Sequence, residues 1–456
     1  MKAYFTSIVG GAGLRDQILS VIRDAIGLAA AHHVDIHIMT FSFTDAEIAD
    51  LLVEAARTRP NLTIRLLADW HQGAPSKARD AKSDTKSDTK SADSGRKVRG
   101  LAELGLPNLQ VRYKKDQPYV WDAKASRMRW SYQDSRGLLH HKTLTVLVDG
   151  RPQTLVCGSF NWSKRSANGY ENLIVLDGDD PGSMPVMTAV EREFAALWSD
   201  GAATLSPDEV RTHYAAILTE FRNNSGRKAA EVVGVERGAG APLDVLREAE
   251  DTGGSAGSPP LQIAFSSRLQ HQDKAAAGYA ESNRLRRFEM QKPGGKTKQV
   301  PVTLSTLALD TIARAQKGEH LLVAMYVLST RVPEYSALLA AARRGVRLFI
   351  VVDGHIGIKP LSRLAATAFG KEKLPIHFRA TGHRTMHQKY IVYPEGQTVL
   401  TGTANLSADA THRHSEHRIL WRGDKYATDA FIADFMTMWK RLPPPFASKR
   451  KQEYST

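Results

Sequence analysis

An internal repeat constrains the fold of this chain more than any other feature of its sequence. Residues 3–7 (Ala-Tyr-Phe-Thr-Ser) resemble residues 263–267 (Ile-Ala-Phe-Ser-Ser), and the apolar run at 35–43 resembles the run at 320–328. Each apolar run has the length of a β-strand and is followed by a stretch with helical periodicity. Since the match continues over most of both copies, we infer that the chain arose by duplication of one structural unit.

The two copies also end alike. Each contains a second strand-length apolar run that closes on an aspartate, Asp69 or Asp353, and each finishes with an amphipathic helix that carries Phe-x-x-x-Trp, at 194–198 and 435–439. Strands that alternate with helices are typical of an α/β layer. We therefore predict an α/β fold of two similar halves, each a mixed β-sheet flanked by helices, packed as a pseudo-twofold dimer within one chain.

Two segments of low complexity divide the repeat. Residues 75–97 are charged and lack apolar anchors, so they predict a mobile surface loop. Residues 224–260 end in a Gly-, Ser- and Pro-rich run and predict a flexible linker with a short helix near Pro242–Ala249. The first half then covers residues 1–223 and the second half covers residues 261–456.

Charge narrows the range of partners. The 62 Lys and Arg residues exceed the 48 Asp and Glu residues, for a formal net charge of +14. A surplus of this size favours polyanionic partners, nucleic acid first and anionic membrane surfaces second. A basic surface that serves only to keep the protein in solution is the alternative.

Neither a signal peptide nor a membrane span is predicted. Charged residues such as Arg15 and Asp16 interrupt the N-terminal apolar stretch, and no run of about 18 uncharged apolar residues occurs. The single cysteine, Cys157, lies in an apolar strand and predicts buried core instead of redox chemistry. We expect a cytoplasmic protein without a transmembrane segment, which functions as a monomer because its pseudo-dimer is internal.

A polar signature recurs at the strand ends of both halves. It consists of His-x-Lys, an apolar strand, Gly-(Ser/Thr)-x-Asn-x-Ser and a glutamate. The polar residues of the two copies are His140, Lys142, Asn161 and Glu171 in the first half, and His387, Lys389, Asn405 and Glu416 in the second.

The spacing of this signature predicts a phosphate site. Residues i and i+2 of a strand project from the same face, so each His and Lys point together, and a hairpin returns the Asn beside them. Lys and Asn donate hydrogen bonds to phosphate oxygens, and His acts as nucleophile or proton donor, while each Glu holds an imidazole in one tautomer. The predicted phosphate-binding residues are Lys142, Ser159, Asn161, Lys389, Thr403 and Asn405.

The paired motifs resemble those of the phospholipase D superfamily over nearly the whole chain outside the two low-complexity segments. The resemblance implies a metal-independent phosphodiesterase that needs no cofactor and works through a phosphohistidine. It also implies that His140 is the nucleophile and His387 the general acid, although the reverse assignment stays open. The family's usual aspartate would fall at Leu147 and Pro394. We interpret the nearby Asp149 and Glu395 as structural.

Other histidines carry weaker signals. His383, His412, His414 and His417 crowd around the second motif, and His412-x-His414 has the spacing of half a metal site. Because no matching Cys or carboxylate ligands accompany them, we predict no metal and expect these side chains to line the cleft or a solvated loop. His141 alternates away from His140 and predicts a packing role.

Three functions remain open from the sequence. A nuclease that hydrolyses DNA or RNA ranks first, since bases and aromatics interleave at 113–130 and Gly-Ser-Phe-Asn-Trp-Ser resembles the nuclease branch of the superfamily. A phospholipase D or phosphatidyltransferase that acts on anionic phospholipid is the alternative. A non-catalytic nucleic-acid-binding module ranks last, because binding alone would not need two complete His/Lys/Asn/Glu sets.

Overall fold

The fold is known from a computed structural model, which describes residues 1–73, 95–114, 119–122, 127–130, 137–199, 204–212, 261–266, 287–291, 296–412 and 414–443. The predicted linker 224–260, with its helix near Pro242–Ala249, lies outside the described residues, as does most of the predicted loop 75–97. The last two residues of that loop are helical, because Val98 and Leu101 just beyond them are buried and anchor the helix Arg96–Glu103.

The first half is built on an eight-stranded sheet and a separate hairpin of β5 and β6. Numbered along the chain, its strands are β1 (Lys2–Phe5), β2 (Val34–Thr40), β3 (Leu62–Asp69), β4 (Leu109–Lys114), β5 (Tyr119–Asp122), β6 (Arg127–Trp130), β7 (Lys142–Val148), β8 (Arg151–Gly158), β9 (Asn172–Asp177) and β10 (Thr204–Leu205). The sheet order is β1-β9-β8-β7-β2-β3-β4-β10.

The second half is built on a seven-stranded sheet and a separate hairpin of β12 and β13. Its strands are β11 (Leu261–Phe265), β12 (Arg287–Gln291), β13 (Thr297–Pro301), β14 (His320–Met325), β15 (Arg347–Asp353), β16 (Ile376–Thr381), β17 (Lys389–Tyr393), β18 (Thr398–Gly402) and β19 (His417–Arg422). The sheet order is β11-β19-β18-β17-β14-β15-β16.

Helices flank both sheets. They are α1 (Thr6–Leu28), α2 (Ala46–Thr58), α3 (Arg96–Glu103), α4 (Lys164–Ala167), α5 (Met184–Ser199), α6 (Leu304–Arg314), α7 (Pro333–Arg343), α8 (Ile358–Phe369), α9 (Ala408–His412) and α10 (Lys425–Arg441), with a short 3-10 turn at Trp70–Gln72. Within the described residues, none of these helices is both long enough and apolar enough to cross a bilayer.

The two sheets share one topology. Seven strands correspond one to one. The strands β2, β3 and β4 run parallel in the first sheet, as β14, β15 and β16 do in the second, and all other neighbouring strands in both sheets pair antiparallel. The local sequence explains why these elements form. In β2, the alternate residues Val34, Ile36 and Ile38 point into the core. Asp45 caps the N-terminus of α2, because its side chain accepts a hydrogen bond from the backbone N–H of Glu47 at 3.1 Å. The predicted α/β fold of two similar halves is confirmed.

Three buried apolar clusters hold the molecule together. Two of them lie within one half each, under the helices α1 and α2 or α6 and α7. The third is shared by both halves and is lined by α5, α10 and the facing sides of the two sheets. In it the rings of Phe5 and Phe431 meet edge to face at 4.9 Å. The halves are therefore joined through a continuous core.

The polar signature lies at the strand ends along one side of each sheet. The carboxyl end of β2 pairs with the start of β7, where Thr40 lies opposite Lys142, and the carboxyl end of β14 pairs with the start of β17, where Met325 lies opposite Lys389. His140 and His387 stand two residues before these strands, just outside the regular pairing. The shared core brings the strand ends of the two sheets together.

Candidate active site

Two short backbone bridges join the halves at the site. The His140 N–H donates to the Ser415 carbonyl at 2.9 Å, and the Ser415 N–H donates to the Leu138 carbonyl at 2.8 Å. The second bridge has the same form, since the His387 N–H donates to Tyr170 at 3.0 Å and the Tyr170 N–H donates to Thr385 at 2.8 Å. The segment before each histidine is therefore fixed against the segment before the other half's glutamate.

Each histidine is paired with the glutamate of the other half. His140 Nδ1 lies 2.8 Å from Glu416 Oε2, and His387 Nδ1 lies 2.9 Å from Glu171 Oε1. An ionised carboxylate only accepts hydrogen bonds, so when the glutamate is ionised Nδ1 of its histidine carries the proton and Nε2 of the neutral ring presents a lone pair. The two imidazole centroids are 6.2 Å apart at an interplanar angle of 77°. Two oriented imidazoles thus face one small space.

Both lysines of the motifs are nearly inaccessible. The Lys142 Nζ donates to the His140 carbonyl at 2.6 Å, and the Lys389 Nζ donates to the His387 carbonyl. Burial lowers the pKa of Lys142 to about 8 and the pKa of Lys389 to about 7, while Glu416 and Glu171 act in the opposite direction. An anion that enters the site would restore the charged form of both amines.

The two asparagines are buried beside this cluster, each 9% exposed. Asn405 Oδ1 accepts the Val327 N–H at 3.1 Å, so the donors of this amide are the groups left for a ligand. Asn161 Oδ1 is buried and has no hydrogen-bond partner among the described residues. The structure brings the histidines, lysines and glutamates of the two signatures together, and each asparagine lies three residues beyond the strand, β8 or β18, that pairs with the strand of its lysine.

The hydroxyls predicted to bind phosphate contact the glutamates instead. The Ser159 Oγ donates to Glu171 Oε2 at 2.6 Å and accepts the Asn172 N–H at 3.0 Å. Thr403 occupies the matching position beside Glu416 and accepts the N–H of His417 at 3.0 Å. Neither hydroxyl is exposed. A direct phosphate contact of Ser159 or Thr403, which stays a prediction, would require the hydroxyl to leave its carboxylate.

Two aspartates position the histidine segments, and the sequence analysis did not assign them a role. Asp69 Oδ2 accepts the N–H of Leu139 at 2.7 Å, and Asp353 Oδ2 accepts the N–H of Met386 at 3.0 Å. Each aspartate closes its strand, β3 or β15, and holds the residue just before a motif histidine. Their matching places in the repeat were the signal that could have identified them.

A buried polar layer lies behind the site. His141 Nδ1 is 3.0 Å from His417 Nδ1, and the two rings stack at 9°. In the other half Gln388 takes the place of His141 and donates to Asp434, which also accepts the Tyr390 hydroxyl at 2.7 Å. Burial raises the pKa of Asp434 to about 6. His141 is fully buried here, in agreement with the packing role expected for it.

Asp149, Glu395 and Cys157 lie away from the cleft. Asp149 pairs with His32 at 2.8 Å and Glu395 pairs with His320 at 2.5 Å, at the far ends of β7 and β17. Cys157 is buried, and burial raises the pKa of its thiol to about 12. In the part of the chain that the structure describes, no group of three or more His, Cys, Asp or Glu side chains is arranged to hold a metal ion.

Comparisons with known proteins agree with this architecture. The family model described as "Cardiolipin synthase, PLD-like domain" matches residues 23–198 and 308–439. The phosphatidylserine synthase of Haemophilus influenzae Rd KW20 superposes with a TM-score of 0.52 at 12% identity, over 97% of this chain and 87% of that protein. That likeness concerns the fold alone.

Two further solved structures resemble parts of the chain. Nuc from Salmonella typhimurium, a phospholipase D family member, aligns over 40% of this chain and 96% of its own at 19% identity, with a TM-score of 0.28. NucT from Helicobacter pylori aligns over 30% of this chain and 87% of its own at 17% identity, with a TM-score of 0.26. No protein of curated function matches the sequence.

The family match covers one segment in each half. Each segment contains a complete His-x-Lys and Gly-(Ser/Thr)-x-Asn signature, and together they span more than half of the chain. The two sheets of common topology are what two such segments would build. This chain belongs to the phospholipase D superfamily, as a single polypeptide with two phospholipase D-like halves.

Proposed function

We propose that the chain is a phosphodiester-cleaving enzyme with one active site, and that its substrate is a phospholipid. The observation that carries the first part is the crossed pairing of His140 with Glu416 and of His387 with Glu171. Neither half then holds a complete nucleophile or proton donor alone. A scaffold that only bound phosphate would not need two imidazoles fixed in one tautomer, which argues against a non-catalytic module.

The proposed reaction has two steps. The Nε2 of His140 attacks phosphorus, and a P–N bond forms as the P–O bond to the leaving group breaks. Protonated His387 gives its Nε2 proton to the leaving oxygen. Water then attacks phosphorus and passes a proton to His387, the P–N bond breaks and His140 is released. An alcohol in place of water would turn hydrolysis into phosphatidyl transfer.

The other site residues stabilise charge in this scheme. Lys142 and Lys389 supply two ammonium groups, and the amides of Asn161 and Asn405 supply uncharged donors for the equatorial oxygens. Glu171 stabilises the imidazolium of His387 while that ring waits to donate its proton. Ser159 and Thr403 hold the two glutamates in position. No step calls for a bound metal or a cofactor.

Phospholipid ranks above nucleic acid for this chain. The sequence analysis put a nuclease first. However, the family model that matches is described as "Cardiolipin synthase, PLD-like domain", and a phosphatidylserine synthase shares the fold over 97% of the chain. The net charge of +14 suits anionic headgroups as well as it suits nucleic acid. These observations favour the phospholipase D or phosphatidyltransferase alternative over the nuclease.

Nucleic acid is the second candidate, because one local feature favours it. The first half carries Gly158-Ser-Phe-Asn-Trp-Ser163, which resembles the nuclease branch of the superfamily. In the structure its Trp162 is buried against Phe43 at 5.3 Å, and both rings belong to the core. The buried Trp162 ring therefore offers no stacking surface for a base.

The test is a substrate panel under one set of conditions. Purified full-length protein is incubated with phosphatidylglycerol or cardiolipin vesicles, single-stranded DNA, duplex DNA and RNA, at low salt with excess EDTA. A His140→Ala protein runs in parallel to exclude contaminating enzymes. We expect headgroup release from the vesicles, intact nucleic acid and no reaction with the variant.

The other outcomes separate the candidates. Cleavage of nucleic acid that survives EDTA and disappears in the His140→Ala protein would overturn the lipid assignment and establish a nuclease. Turnover of any substrate that is equal in both proteins would not come from this site. Turnover of none of them by the wild-type protein would contradict the proposed function for these substrate classes.

A further inference from the structure

The active site is not symmetric, although its frame is. The bridge that joins 138–140 to 414–416 has the same form as the bridge that joins 385–387 to 169–171. When the two bridges are aligned, His414 of the second half corresponds to Gly169 of the first. Each lies two residues before the glutamate of its own half, Glu416 or Glu171. One half thus adds an imidazole at a position where the other half has no side chain.

His414 is fixed beside His140. Its Nδ1 accepts the Leu138 N–H at 3.0 Å, and its backbone N–H donates to Asp409 at 2.9 Å. Because Nδ1 is an acceptor, the neutral ring carries its proton on Nε2. The centroid of this ring lies 6.2 Å from that of His140 at an angle of 38°. A third imidazole therefore belongs to the cleft and holds the start of the His140 segment.

The other half cannot hold a side chain there without adjustment. A Cβ at Gly169 would lie 3.2 Å from the Thr385 carbonyl oxygen and 3.3 Å from that of Ser166. The Gly169 carbonyl is instead covered by Arg384, whose Nη2 donates to it at 2.7 Å. His387 has the phenol ring of Tyr326 beside it at 4.8 Å, where His140 has Phe41.

The charged neighbours of the two histidines differ accordingly. His140 faces Lys142, Lys389, His387 and His414, and with burial as the largest cause these groups hold its pKa well below the usual range. Burial also lowers the pKa of His387, but Glu171 opposes that effect. Nothing equivalent to His414 acts on His387 among its charged neighbours. The surroundings of His140 thus favour the unprotonated ring more strongly than the surroundings of His387 do.

We propose that His414 is a positioning residue for His140 alone. In its neutral form its Nδ1 holds the backbone of the nucleophile segment, and in its protonated form, which gives up that hydrogen bond, its charge disfavours a proton on His140 and so favours the attacking form. The proposal rests on the proposed function, in which His140 forms the P–N bond. It also explains why the two similar halves take unequal roles. The histidine that has a third imidazole beside it, His140, attacks, and the other, His387, donates the proton.

A pair of substitutions separates the two contributions of His414. In His414→Asn the side-chain oxygen takes the place of Nδ1 and still accepts the Leu138 N–H, but the titratable ring is gone. His414→Ala removes both. His32→Asn is the control, since His32 is a surface histidine paired with Asp149 at the opposite end of β7.

The assay measures kcat/KM against pH with a chromogenic nitrophenyl phosphodiester at constant ionic strength. In His414→Asn we expect the acidic limb to move up by roughly 0.5–1 pH unit, because loss of a nearby cation lets His140 take up a proton more readily. At the optimum, turnover should stay within about threefold of wild type. His414→Ala should lose a further factor of about 5–10, the effect of one missing hydrogen bond.

The outcomes are distinct. An acidic limb in His414→Asn that superimposes on wild type would overturn the electrostatic role, and equal rates for the Asn and Ala variants would overturn the positioning role. A shift of the same size in His32→Asn would show a general effect of losing a histidine. No turnover by the wild-type protein would instead count against the proposed function.

A second readout does not depend on activity. In protein labelled with ¹⁵N-histidine, the signal of His140 is identified by its loss in His140→Gln and is titrated by NMR. We expect His140 to titrate at higher pH in His414→Asn than in wild type. An unchanged midpoint would contradict the proposal even if the enzyme's natural substrate were different from the one assumed.

Discussion

Glu171 and Glu416 are the residues that make the two halves interdependent, because each orients a histidine that the other half supplies. The environments of the two carboxyls differ. Burial raises the pKa of Glu416 to about 8, against the effect of Lys142 and its hydrogen bond with Thr403. Glu171 lies beside His387, where a carboxylate charge favours the imidazolium. In the proposed reaction, Glu416 would orient the attacking histidine and Glu171 would stabilise the protonated one.

Glu171→Gln tests this cross-half support. The amide oxygen can still accept the His387 Nδ1 proton, but it has no charge to stabilise the imidazolium. We expect kcat to fall by about 10²–10⁴ while KM changes little, since general acid catalysis contributes on that order. Steady-state kinetics measure both constants. Ser159→Ala, which removes only the hydroxyl that holds Glu171, should lose far less; equal losses in the two variants would argue against a charge effect.

The lysines predict how the reaction responds to alkaline pH. Burial lowers the pKa of Lys389 to about 7 and of Lys142 to about 8, so both amines are charged below these values and become neutral above them. In the free enzyme kcat/KM should therefore decline as pH rises through 7–8. Lys389→Arg stays charged, so its alkaline limb should move to higher pH even though its maximum rate is lower. An alkaline limb identical to wild type would exclude Lys389 as its source.

Among the elements, the hairpins β7–β8 and β17–β18 bring the asparagines back to the histidines. Each returning strand ends in a glycine with a positive φ, Gly158 at 146° and Gly402 at 145°. A Cβ would lie 2.5 Å from the Asn172 carbonyl oxygen at the first position and 2.3 Å from that of His417 at the second. The glycines of Gly-(Ser/Thr)-x-Asn are thus required by close contact between β8 and β9, and between β18 and β19.

Gly158→Ala and Gly402→Ala should each destabilise the protein by about 2–4 kcal/mol, from strain at positive φ together with overpacking against backbone. Denaturant unfolding monitored by circular dichroism measures the change. Gly150→Ala is the matched control, because Gly150 has a φ of 79° but no atom within 4 Å of a new Cβ. If all three variants were destabilised equally, the close backbone contact would not be the cause.

The sequence predicts these elements better than it predicts their contacts. Strands such as β3 and β15 end at the aspartates that the repeat aligned, because strand-length apolar runs bounded by polar residues leave few alternatives. The roles of Asp69 and Asp353 were not foreseen, since they bind backbone N–H groups that lie 70 and 33 residues away along the chain. Contacts of this kind depend on tertiary packing and leave no local pattern.

For the molecule as a whole, the shared apolar cluster makes the halves a single folding unit. It joins Phe5 and Phe194 of the first half to Tyr390, Phe431 and Phe435 of the second. Each such ring contributes about 1.5–3 kcal/mol when buried, so separation of the halves is unfavourable to the extent that it exposes these rings to water. The candidate active site borders this cluster through Leu139, Tyr170 and Met386, so the proposed cleavage chemistry and the association of the halves would depend on the same contacts.

Separated halves should therefore be inactive alone and active together. Residues 1–223 lack Glu416 and residues 261–456 lack Glu171, so neither fragment has an oriented histidine from the crossed pairs. We expect co-expression to restore phosphodiester turnover and purification of either fragment alone to yield none. A fragment pair in which the first carries His140→Ala is the control. Turnover by one fragment alone would show that the crossed pairing is not needed.

The crossed pairing itself could not be predicted from the sequence. Each glutamate follows its own histidine by about 30 residues in the same repeat, which gives no reason to assign it to the other half. Only the docking of the two sheets brings His140 to Glu416, 276 residues away. The repeat in the sequence marks the candidate residues, and the association of the halves determines which of them lie in contact.

The most direct test of a single shared site compares wild-type protein with His140→Ala and His387→Ala, each assayed for phosphodiester hydrolysis with excess EDTA. Circular dichroism confirms that the variants are folded. If both histidines serve one phosphate, each single substitution should lower kcat by several orders of magnitude, and the double variant should be no worse than the poorer single one. Retention of about half the wild-type rate in either single variant would mean two independent sites and would contradict the account.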